Sequence, residues 1–323
     1  MPLITHPDNL RESFLQAFKG KTGKAEAENF RNSLDFELQS ISEQLLNGTY
    51  DFSGYRDFLI FEPKPRVISA APFRTRVALQ AMMRVCHYKF DSYQIFDSYA
   101  SRLGKGTYKA LDRAMKFAQT YKWFVKLDVR KFFASIDHKI LKSQLYALFK
   151  DKILLQNIDN LIDSYENDSD KGLPIGNLSS QYFANHYMAY ADHSAKETIK
   201  VQALVRYMDD VLMFGNDKDA LIKQVRTYEC FLNDELGLTL HEPIYNRTEF
   251  GIPFLGYVVY PYKLRLNQNS RRRLRRRFYK MCESVFNGDI CDEDCIMSAQ
   301  SMLAFAYKAD TILLRRQLFG MLS

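Results

Sequence analysis

Two apolar stretches separated by adjacent acids constrain the fold of this chain more than any other feature. Residues 201–206 and 211–214 are predicted strands, and Tyr207-Met208-Asp209-Asp210 lies between them. Strands this close together in sequence pair as an antiparallel hairpin, so the pattern predicts two carboxylates in a tight turn. Neighbouring like charges disfavour ionisation, and such a site therefore needs a cation to offset the repulsion.

A third acid follows another apolar strand. Residues 123–129 are a predicted strand that carries Asp128 near its end. Successive side chains of a strand point to opposite faces, so Asp210 is expected to point away from Asp209, and a third carboxylate is needed to hold two metal ions. Mg²⁺ prefers hard oxygen ligands, and Asp128, Asp209 and Asp210 together would suit two-metal phosphoryl transfer by a polymerase. Adjacent acids alone are equally compatible with an ordinary surface turn.

The rest of the sequence predicts an α+β chain. Helices are expected over residues 8–46, 73–91, 106–120, 152–165, 178–199 and 217–236 and from 268 onward, with Asp137 as a helix N-cap. Short strands are expected at 58–61 and 66–70, which would form a hairpin with a basic tip, and at 238–241 and 254–260.

Composition indicates an ordinary globular protein. Of the 323 residues, 46% are hydrophobic and 26% are charged, which argues against wholesale disorder. No window approaches the roughly 18 apolar residues of a membrane span, and the N-terminal residues lack a signal pattern, so we expect a cytoplasmic protein without membrane contact. The five scattered cysteines suggest free structural thiols; Cys291 and Cys295 would be half of a metal site without a second pair nearby.

Positive charge is concentrated in one helix-length stretch. The chain carries a net charge of +7, yet residues 262–280 alone hold nine basic residues and no acid. Guanidinium groups suit phosphates, so this stretch predicts nucleic-acid binding; a solvated basic helix or a nuclear-import-like patch is the alternative. The predicted nucleic-acid-binding residues are Arg271, Arg272, Arg273, Arg275, Arg276 and Arg277.

These stretches resemble reverse transcriptases. Residues 207–210 resemble the catalytic hairpin of that family, and residues 124–138 resemble its first catalytic motif. Residues 66–76 are similar to the fingers motif, 98–107 to the segment before the palm, and 254–257 to the primer grip. The resemblance runs through residues 45–320 in the family's order.

The resemblance implies a right-hand polymerase with fingers, a palm of antiparallel sheet plus helices, and a short helical thumb. Residues 1–122 would form N-terminal helices and fingers, and 123–261 the palm, with a fingers segment at about 139–172. Residues 262–323 would form the thumb.

One stretch points to a subgroup. Residues 173–181, Leu-Pro-Ile-Gly-Asn-Leu-Ser-Ser-Gln, depart from the Gln-Gly-x-x-x-Ser-Pro pattern of retroviral and group II intron enzymes. They resemble the corresponding segment of diversity-generating retroelement reverse transcriptases, and residues 301–311 are similar to the short thumb of that group. Some bacterial antiphage-defence reverse transcriptases share related motifs.

The resemblance also implies roles for individual residues. The metal ligands would be Asp128, the backbone carbonyl of Val129, Asp209 and Asp210. The residues that contact the incoming dNTP would be Lys64, Arg66, Phe133, Ile175, Gly176 and Gln181. The primer grip would comprise Phe254, Leu255, Gly256 and Tyr257.

Two of these positions carry specific expectations. Phe133 occupies the place where a ring excludes a 2′-hydroxyl, which implies dNTP preference, although core packing is an equally ordinary role for an aromatic residue there. Ile175 stands where many relatives carry Gln, whose amide can hydrogen-bond near the nucleotide sugar. A site with fewer such polar contacts discriminates less between correct and incorrect base pairs. We therefore expect error-prone copying, and the resemblance implies errors opposite template adenine.

The expected function is thus an RNA-directed DNA polymerase that uses two Mg²⁺ ions, with Mn²⁺ as an alternative. The resemblance implies a bacterial or phage-encoded enzyme that acts on a retroelement template RNA and a cDNA primer-template, and that binds a small basic accessory protein oligomer. An antiphage-defence enzyme that copies a dedicated noncoding RNA is the first alternative, and a non-catalytic RNA-binding scaffold is the second.

Overall fold

The computed structural model describes residues 1–61, 65–165 and 170–319. Helices and antiparallel strands are mixed along the chain, which confirms the predicted α+β class. The chain divides into two compact units. The first comprises Met1–Phe96, Val129–Ile199 and Arg226–His241, and the second comprises Asp97–Asp128, Lys200–Val225 and the chain from Glu242 onward.

The described residues form the following elements in chain order. The α-helices are α1 Pro7–Phe18, α2 Ala25–Asn32, α3 Leu34–Asn47, α4 Phe73–Tyr93, α5 Thr107–Thr120, α6 Phe132–Ser135, α7 His138–Leu148, α8 Lys152–Asp163, α9 Leu178–His193, α10 Lys218–Leu236, α11 Gln268–Phe286, α12 Asp292–Tyr307 and α13 Ile312–Phe319. The strands are β1 Arg56–Phe61, β2 Pro65–Ala70, β3 Trp123–Asp128, β4 Ala203–Tyr207, β5 Asp210–Gly215, β6 Ile244–Arg247, β7 Ile252–Phe254, β8 Tyr257–Val259 and β9 Leu264–Leu266. A π-helical turn, Ser194–Thr198, extends α9, and a 3₁₀ turn, Thr248–Phe250, follows β6.

The N-terminal segment of the first unit is three helices rather than one. The prediction that residues 8–46 are helical is wrong where the helix is interrupted. Gly20 and Gly23 adopt φ of 69° and 78°, and they end the helical run after α1. Left-handed backbone is available to glycine at little cost. Helices α1 and α2 bury an aromatic cluster with α4, in which Phe30 lies 5.7 Å from Phe14 and 5.3 Å from Phe73, measured between ring centroids.

The four-stranded sheet of the second unit has the order β4-β5-β3-β6, with antiparallel neighbours. The predicted hairpin at residues 201–214 is confirmed as β4 and β5. One face of this sheet packs on α5, because alternate residues of the strands are apolar and α5 presents a stripe of alanine and leucine to them. The buried residues of this contact include Ala114, Leu212 and Phe214.

The smaller elements of the second unit depart from the predictions. The expected strand at 254–260 is two strands, β7 and β8, joined by a turn and paired in the order β7-β8-β9. Strands β6 and β9 were not predicted, because short segments with exposed polar residues carry little periodic signal. In the first unit, the expected strand at 238–241 is reduced to an isolated bridge between Leu240 and Val129.

Several local predictions hold. Asp137 caps α7, and its side chain accepts hydrogen bonds from the backbone N–H groups of Lys139 and Ile140. The tail of the second unit is helical from residue 268, as expected. All five cysteines carry free thiols. Within the described ranges, every helix is too short or too polar to cross a bilayer.

Candidate active site

Two of the predicted carboxylates lie directly opposite each other. Asp128 ends β3, Asp210 begins β5, and the register pairs the two residues across the antiparallel strands. Residues paired in this way point to the same face of the sheet, with Cβ atoms about 5 Å apart. Sequence reasoning expected Asp210, as a metal ligand, to point away from Asp209, and the structure pairs Asp210 with Asp128 across the two strands.

Lys126 balances part of this charge. It lies two residues before Asp128 on β3, and therefore on the same face. Its Nζ lies 2.9 Å from Oδ1 of Asp210, and both side chains are largely buried. The ammonium group therefore makes a charge-assisted contact with the Asp210 carboxylate. Sequence reasoning missed Lys126, although a lysine at this spacing before an acid in an apolar strand was a usable signal.

The Asp210 carboxyl is placed where ionisation is unfavourable. Burial raises the pKa of this group, the Lys126 ammonium lowers it, and the charge of Asp128 raises it further. The net result is a raised pKa, so the single ammonium group does not fully offset burial and the second carboxylate. A further cation beside Asp128 and Asp210 would favour the ionised form of both.

Asp209 lies in the turn between β4 and β5. Tyr207 and Asp210 are paired, so Met208 and Asp209 form a two-residue connection. Met208 adopts a φ of 55°, a left-handed conformation that two-residue hairpin turns use but that a side chain disfavours. Strained backbone of this kind persists only where surrounding structure holds it, and it occurs often at functional sites.

The three acids provide ligands suited to a divalent cation, but they do not form one cluster. Within residues 1–61, 65–165 and 170–319, no three His, Cys, Asp or Glu side chains are grouped to hold a metal ion. The donor set nevertheless fits Mg²⁺ or Mn²⁺, since carboxylate oxygens are their preferred ligands and the register places Asp128 and Asp210 opposite each other. In the first unit, Val129 is buried and bridges to Leu240.

The first unit brings together several residues predicted to contact the nucleotide. Phe133 lies half-buried in α6, and its carbonyl accepts a hydrogen bond from the Leu173 N–H at 2.8 Å. The carbonyl of Ile175 accepts one from the Ser69 N–H at 3.0 Å. The loop of residues 173–176 is thus attached on one side to α6 and on the other to β2.

Gly176 and Asn177 determine how closely this loop approaches β2. Gly176 has a φ of 112°, and a Cβ at this position would lie 2.7 Å from Cγ2 of Ile68, so a larger residue would force the loop away. Asn177 is buried and its Nδ2 donates to the Ser69 carbonyl at 3.2 Å. Sequence reasoning missed Asn177, whose role depends on a contact 108 residues away.

Two of the remaining nucleotide candidates lie on β2 and α9. Arg66 is exposed on β2, opposite Ile60 of β1. Gln181 is half-buried in the first turns of α9. Lys64 lies outside the described residues.

The predicted primer grip is the turn between β7 and β8. Leu255 and Gly256 have φ of 49° and 86°, while Phe254 and Tyr257 are buried on either side of them. The Tyr257 hydroxyl donates to the Phe305 carbonyl at 3.0 Å, which attaches the turn to α12. Two of the four predicted residues therefore belong to the core, and the turn residues between them are the accessible part.

The predicted basic stretch covers the exposed face of α11. Leu274, Phe278 and Met281 form its buried face. Five of the six arginines of residues 271–277 are exposed and Arg273 is half-buried. In the part of the chain that the structure describes, none of the six forms an ion pair or a side-chain hydrogen bond, so their donors face solvent.

Comparisons with known proteins agree with these features. The profile of the family described as Reverse transcriptase (RNA-dependent DNA polymerase) matches residues 62–259, more than half of the chain. The Putative COX1/OXI3 intron 1 protein of Saccharomyces cerevisiae is 23% identical over 173 residues, which are 51% of this chain and 21% of that protein. The chain thus spans about a fifth of the length of this curated relative.

Solved structures show the same fold. Apo telomerase from Candida tropicalis has a TM-score of 0.53 at 14% identity, with 68% of this chain and 49% of that chain covered. Telomerase from Candida tropicalis in complex with a TWJ fragment of telomeric RNA has a TM-score of 0.55 at 11% identity, with 88% and 58% covered. The family profile spans the strands that carry the opposed carboxylates and the strained hairpin turn beside them. This chain therefore belongs to the reverse transcriptase family of RNA-dependent DNA polymerases.

Proposed function

We propose that this chain is an RNA-directed DNA polymerase that makes error-prone cDNA from a retroelement template RNA by two-metal-ion nucleotidyl transfer. The observation that carries the polymerase part is the opposed pair of Asp128 and Asp210 beside the Met208–Asp209 turn, in a chain of the reverse transcriptase family. A non-catalytic RNA-binding scaffold would have no need of two opposed, partly buried acids at this position, because neighbouring like charges disfavour ionisation.

The chain's own residues would act by binding and orienting. Asp128, Asp209, Asp210 and the backbone carbonyl of Val129 would hold the metal ions. Bound Mg²⁺ ions would supply Lewis acidity for the primer 3′-hydroxyl and charge stabilisation for the leaving pyrophosphate. Lys126, at 2.9 Å from Asp210, supplies positive charge to the acids before a metal binds.

Sugar selection is proposed for Phe133. The carbonyl of Phe133 is fixed to the loop of residues 173–176, and that loop is fixed in turn to β2, where Arg66 is exposed. A ring whose backbone is attached to a fixed loop suits a steric gate, because selectivity requires that the ring does not yield to a 2′-hydroxyl. Arg66 would bind the triphosphate through its guanidinium group.

Primer extension on an RNA template tests the polymerase proposal. The assay compares the wild type with Asp209→Ala and, as a matched control, Asp219→Asn, which removes an exposed carboxylate of α10. We expect Mg²⁺-dependent DNA products from the wild type and the control, and none from Asp209→Ala. Products of equal yield from Asp209→Ala would refute the proposed site, and RNA binding without any synthesis on several templates would favour the scaffold.

The error-prone character is proposed from Ile175, whose carbonyl is held by Ser69 while its side chain offers no polar group to the substrate. Sequencing the cDNA tests it, with Ile175→Gln compared against Ile153→Gln, an exposed apolar position of α8. We expect wild-type errors concentrated opposite template adenine, and fewer of them in Ile175→Gln only. Faithful copying by the wild type would favour the antiphage-defence alternative, in which a dedicated noncoding RNA is copied.

Proposed partners follow from the same account. The exposed arginines of α11 would contact the phosphates of the template RNA and the cDNA primer-template. A small basic accessory protein oligomer is proposed from the resemblance to retroelement enzymes. Processivity measured with and without such a protein tests this, and equal processivity would exclude a role for it in synthesis.

A further inference from the structure

Arg206 is an unexpected residue in the hairpin. It is the second-last residue of β4 and is 0% exposed. Among the described residues it is the largest side chain that is fully buried. A buried guanidinium group is costly unless its donors are satisfied, and an apolar residue would serve the core of a strand at lower cost. Its presence therefore calls for a role that a hydrocarbon side chain does not fill.

The guanidinium group connects the turn to a neighbouring segment. Nη1 of Arg206 donates to the carbonyl oxygen of Met208 at 3.2 Å, and Nη2 donates to Oγ of Ser98 at 3.1 Å. The backbone of Arg206 makes two further bonds to the same segment. Its N–H donates to the Asp97 carbonyl, and its carbonyl accepts from the Tyr99 N–H, both at 2.9 Å.

The segment of residues 97–99 is itself fixed by charge-assisted bonds. The buried carboxylate of Asp97 accepts bidentate bonds from Arg113 of α5, with Nε at 2.8 Å from Oδ1 and Nη2 at 3.0 Å from Oδ2. The Tyr99 hydroxyl donates to Oδ1 at 3.0 Å. Bidentate arginine–carboxylate pairs combine strength with fixed geometry, so Arg206 is anchored on a rigid support.

The bond from Arg206 reaches the peptide group that precedes Asp209. The Met208 carbonyl and the Asp209 N–H belong to one planar unit, so an anchored Met208 oxygen fixes the orientation from which Asp209 projects. Met208 holds a left-handed φ of 55° that its side chain disfavours, and without the bond the turn would relax toward other conformations.

We propose that Arg206 is a positioning residue for Asp209, which it holds in place through the carbonyl of Met208. This inference rests on the proposed function in one respect: the importance of Asp209 to nucleotidyl transfer. The effect of Arg206 on the turn itself is independent of it, and so the test includes measurements that need no synthesis.

The test compares Arg206→Lys with the wild type and with Asn157→Ala. Lysine keeps the positive charge but lacks the two Nη groups that donate to Met208 and Ser98. Asn157 is a fully buried polar residue of α8 whose Nδ2 makes two backbone hydrogen bonds at 2.8 and 2.9 Å, so its loss controls for simple destabilisation. The readouts are hydrogen exchange of the peptide covering β4 and β5, Mn²⁺ affinity by electron paramagnetic resonance, and kcat and KM for dNTP.

We expect Arg206→Lys to exchange faster in this peptide, to bind Mn²⁺ about 10-fold more weakly, and to lose about 10- to 100-fold in kcat with little change in KM. Met208→Gly should restore part of the Mn²⁺ affinity in the Arg206→Lys background, because glycine adopts the turn conformation without strain. Asn157→Ala should change none of the three readouts by more than about twofold.

Unchanged exchange and Mn²⁺ affinity in folded Arg206→Lys would overturn the proposal. If that variant does not fold, Ser98→Ala decides in its place, since it keeps the guanidinium group and removes the hydroxyl that accepts from Nη2. Wild-type exchange and Mn²⁺ affinity there would also overturn the proposal. Absence of DNA synthesis by the wild type would count against the proposed function alone, because exchange and Mn²⁺ binding still report on Arg206.

Discussion

Acidification should destabilise this protein through one buried histidine. His186 of α9 is 0% exposed, and rings of Phe90 and Tyr93 lie within 5.6 and 5.0 Å of its ring centroid. Its Nε2 is 3.4 Å from the Gln144 carbonyl, and its Nδ1 has no hydrogen-bond partner. Burial lowers the pKa of His186 to about 4 from an ordinary value of 6.5, so the imidazole remains neutral in the folded chain.

The size of the effect follows from proton linkage. A group with a lowered pKa in the folded state contributes stability above its unfolded pKa, and that stability is lost as the pH falls through the window down to the folded pKa. For His186 the window runs from 6.5 to about 4. At roughly 1.4 kcal/mol per pKa unit, the loss across it is about 3 kcal/mol.

Urea unfolding monitored by far-UV circular dichroism measures this directly. The free energy of unfolding of the wild type should fall across the window, and His186→Gln, which does not titrate, should show a slope reduced by about one bound proton. Other groups titrate equally in both proteins and cancel in the comparison. Parallel pH profiles for the two proteins would refute the reasoning.

Three further predictions concern selectivity, nucleic-acid binding and packing. Phe133→Ala should raise ribonucleotide incorporation in a mixed dNTP and rNTP assay, and unchanged sugar selectivity would assign the ring to packing alone. Arg275→Ser with Arg276→Ser should reduce the slope of log affinity against log salt by about 1.5 in a primer-template binding titration, whereas a flat salt dependence in the wild type would contradict phosphate contacts. Leu212→Ala should lower the free energy of unfolding by about 2–5 kcal/mol, because this leucine is fully buried in β5; a loss below about 1 kcal/mol would mean that the core closes around the cavity.

The sequence identified the acids of the site but not their arrangement. A strand that ends at Asp128 and a hairpin that contains Asp209 and Asp210 are local patterns, and both are present in the structure. The pairing of Asp128 with Asp210 depends on the register between β3 and β5, two strands that are far apart in the sequence. No local pattern contains this register, so the sequence did not show which acid of the hairpin lies opposite Asp128.

Residues that act through long-range contacts were also missed. Asn177 acts on Ser69 and Arg206 acts on Ser98, across 108 residues in each case. Both are polar residues in predominantly buried segments, which was the available signal, but a buried polar residue does not reveal its partner. Short strands such as β6 and β9 were missed for a different reason, since three or four residues of mixed polarity do not establish a period.

The most direct test of the account measures a single nucleotide incorporation on an RNA template. The wild type is compared with Asp128→Asn, which removes one of the opposed carboxylates and keeps the shape of the side chain, and with the Asp219→Asn control. The account predicts an incorporation rate at least about 100-fold lower for Asp128→Asn and unchanged for the control. A rate for Asp128→Asn within a few fold of the wild type would contradict the assignment of these carboxylates as the polymerase active site.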